Sequence, residues 1–310
     1  MAKIYNGIMG LVVGDAVGVP FEFKKRDTYE VKDMIGYGTY NQKPGTWSDD
    51  SSMTLATVES IGRLGRIDPT DIMQNFVKWF CGAEFTPHGK VFDVGGATRK
   101  AITNYYLKQL PLDSCGGKTR MDNGNGALMR ILPVAMAAEQ DAVDKMITVK
   151  KVAGLTHNHM ISHIGCYIYS FLVQNLLNGE DKRVAISNAI QVVGDLYGNT
   201  EAWMEYRYLP EIGKYEPDEI RSSGYVVDTL EAAIWCFLNT SNYKDCVLLA
   251  VNLGEDTDTV AAVAGGLAGI YYGCGGKNGI PTRWINQIAR KEWIQMLCDS
   301  FESKFSTHST

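Results

Sequence analysis

Nowhere in this chain do two cysteines stand at Cys-x-x-Cys spacing. The seven (Cys81, Cys115, Cys166, Cys236, Cys246, Cys274 and Cys298) are odd in number and scattered. That pattern argues against a disulfide framework or a zinc ribbon and fits a reducing cytoplasm. An excess of positive charge is also missing: 30 Lys and Arg face 35 Asp and Glu, for a formal net charge of −5. Nucleic-acid binders usually carry a basic face, so no nucleic-acid partner is expected. Long apolar runs are few. Val260 to Tyr272 falls well short of the roughly 20 residues of a membrane span. The N-terminal run is interrupted by Asp15 and lacks a small-residue cleavage pattern, so neither a signal peptide nor a membrane partner is expected. Alternating Val-Ile-Thr runs bounded by turns are scarce too, which leaves little room for sheet.

What remains reads as helix after helix. Asp68-Pro69 is a strong start, a capping carboxylate followed by proline at the first helical position. Ile72, Phe76, Val77, Trp79 and Phe80 then make an apolar face, and Gly82 ends it. Similar spacing predicts helices over 157–178, 181–195, 226–239, 242–252 and 285–302, within a total of roughly a dozen. Loops are expected at 36–47, 86–96, 111–126 and 273–284, and a polar surface excursion at 198–225. No linker or fixed-period repeat is visible. The expectation is one all-α domain over 1–310, acting as a monomer.

Two acidic clusters carry the chemistry. Trp47-Ser48-Asp49-Asp50-Ser51 directly precedes an apolar run, Met53 to Leu64. One Ser or Asp suffices as an N-cap, and two adjacent aspartates repel unless a cation or hydrogen bonds relieve them. Gly254-Glu255-Asp256-Thr257-Asp258-Thr259 precedes a run of small residues, VAAVAGGLAGIYYG. Small side chains allow close helix approach, which places that run centrally. Three carboxylates in four residues exceed a cap, and burying them unpartnered is very unfavourable. Asp, Ser and Thr supply only oxygen, so a hard divalent cation is the natural partner. Two metals about 4 Å apart would use both clusters.

Three further segments are glycine-rich turns. Gly14 to Glu22 reads as a helix ending at glycine and proline. Phe92-Asp93-Val94-Gly95-Gly96-Ala97-Thr98-Arg99 opens a helix, where free amides can bind phosphate. Asp122 to Arg130 is a turn with amide side chains, suited to hydrogen-bonding a polar ligand or to capping. Gly117-Lys118-Thr119 fails as a phosphate loop, because the leading glycine would fall at Leu112. His157, His159 and His163 cluster, but the helical HExxH pattern would need glutamate at Met160.

In order, GDAVGVPFEF, GTWSDDSSMTLA, FDVGGATRKAI, NGNGALMRILP, THNH, SGYVVDTLEAAIW and GEDTDTVAAVAGGLAGIYYG resemble the ADP-ribosylglycohydrolase family. Within it they are most similar to the bacterial branch that includes ADP-ribosyl-(dinitrogen reductase) hydrolase. The resemblance runs from about Gly7 to Gly273. It implies an all-helical fold with two Mg²⁺ or Mn²⁺ ions. It implies metal ligands at Ser48, Asp49, Asp50, Asp256, Asp258 and Thr259, with Ser48 where many members have threonine. Glu22 would orient substrate or water, and Asp93 would assist catalysis. Gly95, Gly96 and Thr98 fall on the diphosphate-binding turn, with Gly96 where some relatives carry a polar side chain. Asn123, Gly124, Asn125, Gly126 and His157 fall on segments that contact ADP-ribose, and Tyr225 on one near the adenosine. The implied activity is release of ADP-ribose from a modified protein or small molecule, with arginine as the linked residue.

Three alternatives remain at this point. One is a binding module that holds ADP-ribose without turnover. Another is an ADP-ribosyl hydrolase of a different linkage, serine or small-molecule. The third is a metallohydrolase built on the histidine trio, with the acidic clusters reduced to caps.

Overall fold

The computed structural model describes residues 2–137 and 141–305, and within them it contains helices and no strands, only isolated bridges. In chain order the first helices are α1 (Ala2–Gly18), α2 (Asp49–Leu64), α3 (Pro69–Gly82), α4 (Gly96–Tyr106), α5 (Leu112–Cys115), α6 (Leu132–Ala137) and α7 (Ala142–Ala153). Then come α8 (Met160–Leu177), α9 (Lys182–Tyr197), α10 (Glu201–Met204), α11 (Val226–Leu238), α12 (Tyr243–Asn252), α13 (Thr257–Tyr272), α14 (Thr282–Ile285) and α15 (Lys291–Phe305). One continuous apolar cluster, from Ile8 to Phe301, holds them together.

The centre is the pair α1 and α13. Gly10, Gly14 and Gly18 recur every fourth residue on α1, and they face Gly265, Ala261 and Asp258 of α13. A β-carbon at Gly14 would overlap the carbonyl oxygen of Ala261, and one at Gly10 that of Gly265. Glycine is therefore required by close backbone approach, not by unusual dihedrals. This crossing sets Asp15 of α1 and Asp258 of α13 into the same interior. It also accounts for a helix that, by length and composition alone, could cross a membrane. Residues 3–21 have a mean hydropathy of 1.4, but 83% of that stretch is buried within the fold.

Three expectations need correction. The segment 198–225 is no surface excursion, because Tyr206, Leu209, Ile212 and Ile220 are buried. The Tyr206 phenol donates to the carbonyl of Ile161 at 2.7 Å, which ties the segment to α8. The expected helix over 285–302 divides into α14 and α15. The break comes where Arg290 takes φ +58°, which no helix accommodates. Glu255 does not join the acidic cluster: it is exposed, and its backbone is pinned to Phe23 and Lys24 by bonds of 2.7 and 2.8 Å.

Candidate active site

α2 begins at a built cap. The hydroxyl of Ser48 accepts from the amide of Asp50 at 3.2 Å, so Asp49 and Asp50 are not needed as caps. At the start of α13, Asp256 occupies the cap position with no side-chain cap bond. Neither cluster is thus explained by capping. The two meet: the Thr259 hydroxyl donates to Asp50 Oδ2 at 3.4 Å, as does that of Ser48 at 3.2 Å. Glu22 joins them, because ligand oxygens of Glu22, Asp256 and Asp258 lie within 4.8 Å of one another. Among the described residues no other group of His, Cys, Asp or Glu is so close.

Four oxygens here are buried without a donor: Glu22 Oε2, Asp50 Oδ1, Asp256 Oδ1 and Asp258 Oδ2. Burial and mutual repulsion push the carboxyls of Asp49, Asp50 and Asp258 well above the ordinary range. Burial, then the charge of Asp93, raises Glu22 to about 9. Asp93 is raised by burial too, though bonds from Glu22 and Tyr40 hold it down. Orphaned acceptors on buried acids call for a cation. An all-oxygen set of carboxylates and hydroxyls suits a hard divalent cation.

The acids form one wall of a cleft of about 330 Å³. The start of α4 lines the same cleft, through Gly95, Gly96, Ala97 and Thr98. No side chain caps this helix, which leaves its first amides free for an anion. Asp93 sits just before it at φ +51°, a conformation that Asp tolerates better than most residues. Gly124, Asn125, Gly126 and His157 also line it. The Asn125 amide donates to Thr229 at 2.9 Å and to Asp256 at 2.8 Å, which joins this loop to the acidic wall.

Other expected residues lie elsewhere. Asn123 is spent on scaffolding: its carbonyl accepts from the Ser162 amide and hydroxyl, and its amide donates to Arg120. Tyr225 lines a neighbouring cavity of about 340 Å³ and donates to Glu205 at 3.0 Å. Ser48 and Asp258 stand behind the lining, nearly or fully buried. The histidine trio does not converge. His159 caps α8 through Nδ1, and both nitrogens of buried His163 lack partners.

Two residues escaped the sequence reading. Asp15 is fully buried, and its carboxylate accepts from the Ser48 amide at 3.0 Å, the Ser51 amide at 3.0 Å and the Ser51 hydroxyl at 2.5 Å. It thereby holds the turn that presents Asp49 and Asp50. Burial raises it to about 7, against the pull of those bonds. Its signal was a lone acid inside an apolar run. Tyr40, whose phenol stands near Glu22 and Asp93 and is raised by burial and by them, had no local signal.

A family model described as ADP-ribosylglycohydrolase matches residues 1–310. The chain is similar to the ADP-ribosylarginine hydrolase Tri1 of Serratia proteamaculans, 36% identical over 96% of this chain and 78% of that protein. It is 31% identical to the ADP-ribosyl-(dinitrogen reductase) glycohydrolase of Rhodospirillum rubrum, over 93% of this chain and 91% of that one. A solved structure titled ADP-ribosylglycohydrolase-related protein complex aligns with a TM-score of 0.82 at 30% identity, covering 98% of each chain.

Proposed function

The chain belongs to the ADP-ribosylglycohydrolase family, and from that premise we propose that it hydrolyses the N-glycosidic bond of ADP-ribosylarginine in a modified protein. The supporting observation is that one cleft gathers two kinds of group. Glu22, Asp50 and Asp256, each with an orphaned carboxylate oxygen, line it, and so do the first residues of α4, whose amides no side chain caps. A ligand that joins a sugar to a diphosphate has chemistry for both.

Ser48, Asp49, Asp50, Asp256, Asp258 and Thr259, with Glu22 beside them, would hold two Mg²⁺ or Mn²⁺ ions. Such ions supply Lewis acidity and offset the negative charge of the ligand. The protein's own groups do the rest. Amides at Gly96, Ala97 and Thr98 bind the diphosphate. Cleavage passes through an oxocarbenium-like state, whose positive charge the acidic wall favours. Burial and repulsion from neighbouring carboxylates raise the carboxyls of both Glu22 and Asp93, and a carboxyl raised toward neutrality is suited to protonate the leaving guanidino nitrogen. Seven free thiols, five of them buried, agree with a cytoplasmic setting. We place the protein there as a monomer that takes neither nucleic acid nor membrane as a partner.

A panel of arginine-, serine- and cysteine-linked ADP-ribosyl peptides, followed by free ADP-ribose, tests the linkage. Arginine-linked peptide should be cleaved fastest. Serine-linked peptide preferred tenfold, about 1.4 kcal/mol in barrier, would overturn the linkage. Tight ADP-ribose binding with no turnover of any peptide would make the protein a binding module.

A further inference from the structure

A buried cation lies behind the cleft. Arg130, on the turn that follows Gly126, is fully buried, and no carboxylate pairs with it among the described residues. Its Nη2 donates to the Val152 carbonyl at 3.2 Å and to the Thr156 hydroxyl at 2.8 Å. Nε and Nη1 find no acceptor, and the guanidinium lies over the Phe76 ring at 4.8 Å. A buried charge without a counter-ion is unfavourable, and an apolar side chain of similar volume would fill the space as well. What Arg130 touches is therefore the informative part.

Thr156 Oγ1 is 2.8 Å from Nδ1 of His157. A hydroxyl has a single proton to give. Oγ1 accepts from Arg130 and could accept a second bond, but among the described residues its own proton has no acceptor other than Nδ1. Donating it there leaves no buried hydroxyl proton unsatisfied, and that arrangement makes Nδ1 the bare nitrogen. The ring stays neutral, since burial and the Arg130 charge lower its pKa to about 3. A neutral imidazole bare at Nδ1 carries its hydrogen on Nε2. His157 lines the cleft with Gly124 and Gly126, and its ring packs against both: a β-carbon on Gly124 would lie 3.5 Å from Nε2, and one on Gly126 2.8 Å from Cε1. Nδ1 is taken by Thr156 and no protein group among the described residues bonds Nε2, so a ligand oxygen in the cleft is the partner left for it.

We propose that Arg130 and Thr156 are positioning residues that fix His157 as its Nε2–H tautomer, so that the cleft presents a neutral hydrogen-bond donor to an oxygen of bound ADP-ribose. The identity of the ligand rests on the function proposed above; the tautomer does not. A neutral donor suits a cleft whose acids already call for a cation, because it orients without adding charge.

Two-bond ¹H–¹⁵N spectra of ¹⁵N-histidine-labelled protein test this directly. The five histidines are few enough to assign His157 by difference with His157→Gln. Wild type and Thr156→Ser should show His157 bare at Nδ1 and protonated at Nε2. Thr156→Val, which keeps the shape and loses the hydroxyl, should show mixed tautomers. Its Kd for ADP-ribose and its KM should rise about tenfold with kcat nearly unchanged, and Thr156→Ser should restore both. His157 protonated at Nδ1 in the wild type overturns the proposal, even if Thr156→Val fails to fold. So does an unchanged tautomer and Kd in folded Thr156→Val. Wild type that binds no ADP-ribose would instead sink the functional reading and leave the tautomer result standing.

Discussion

In metal-free buffer Asp258→Asn should melt at or above the wild type, and in saturating Mg²⁺ it should melt well below it. Asp258 is fully buried, and its Oδ2 has no donor. Its carboxyl is pushed up by burial first, then by Glu22, Asp50, Asp256 and Asp93. Asparagine keeps the shape and keeps an acceptor for the Thr259 amide, which now bonds Oδ1 at 2.9 Å. It also places a donor where an orphaned oxygen stood and removes one of several like charges. Metal bound only to the folded wild type adds roughly 2.7 kcal/mol at a hundredfold excess over Kd, which is several degrees in Tm. The variant forfeits most of that.

The sign with pH follows from the same groups. A carboxyl whose folded pKa is raised contributes stability that is full below its unfolded value and is lost as pH rises through the folded value. Asp15 and Glu22 move from 3.8 and 4.5 to about 7 and about 9. Metal-free wild type should therefore lose stability progressively from about pH 4 to about pH 9, less steeply in Asp258→Asn. Melting curves with and without Mg²⁺ across that range check both statements. If the two proteins gained equally from metal, Asp258 would not be a ligand that matters.

Asp15→Ala should be more damaging than the loss of any one metal-facing acid. Its carboxylate satisfies the amides of Ser48 and Ser51 and the Ser51 hydroxyl, all buried. Each donor left without an acceptor costs about 1–3 kcal/mol, so several kcal/mol of stability should go. The turn bearing Asp49 and Asp50 would also lose its anchor. Groups that orient metal ligands typically change affinity 10–100-fold, and a loss in that range is expected for Mn²⁺ binding. Asp15→Asn retains one oxygen acceptor and should fall between. Calorimetric titration with Mn²⁺, beside the melts, checks this. Wild-type Mn²⁺ affinity in folded Asp15→Ala would show that Asp15 does not position the site.

The acidic wall was legible because its residues are contiguous: Asp49 and Asp50 adjoin one apolar run, and Asp256 and Asp258 another. The helices were legible for the same reason, from caps such as Asp68, whose carboxylate accepts from the amides of Thr70 and Asp71. What was hidden depends on pairings between distant segments. Tyr40 reaches Glu22 and Asp93 only through the fold, and Arg130 reaches His157 only through Thr156. Polar composition with Pro210 and Pro217 concealed the four apolar anchors of 198–225. Asp15 could have been found, since an acid inside a buried helix must have partners. Asn123 adds a use that composition does not display: the amide of a loop beside the cleft braces the scaffold through Ser162 and Arg120.

The account stands on the two acidic segments holding metal for hydrolysis. The most direct measurement is release of free ADP-ribose from an ADP-ribosylarginine peptide by protein stripped with chelator and then repleted. Turnover should fall to background in the stripped protein and return with Mg²⁺ or Mn²⁺. Full turnover by metal-free protein would contradict it.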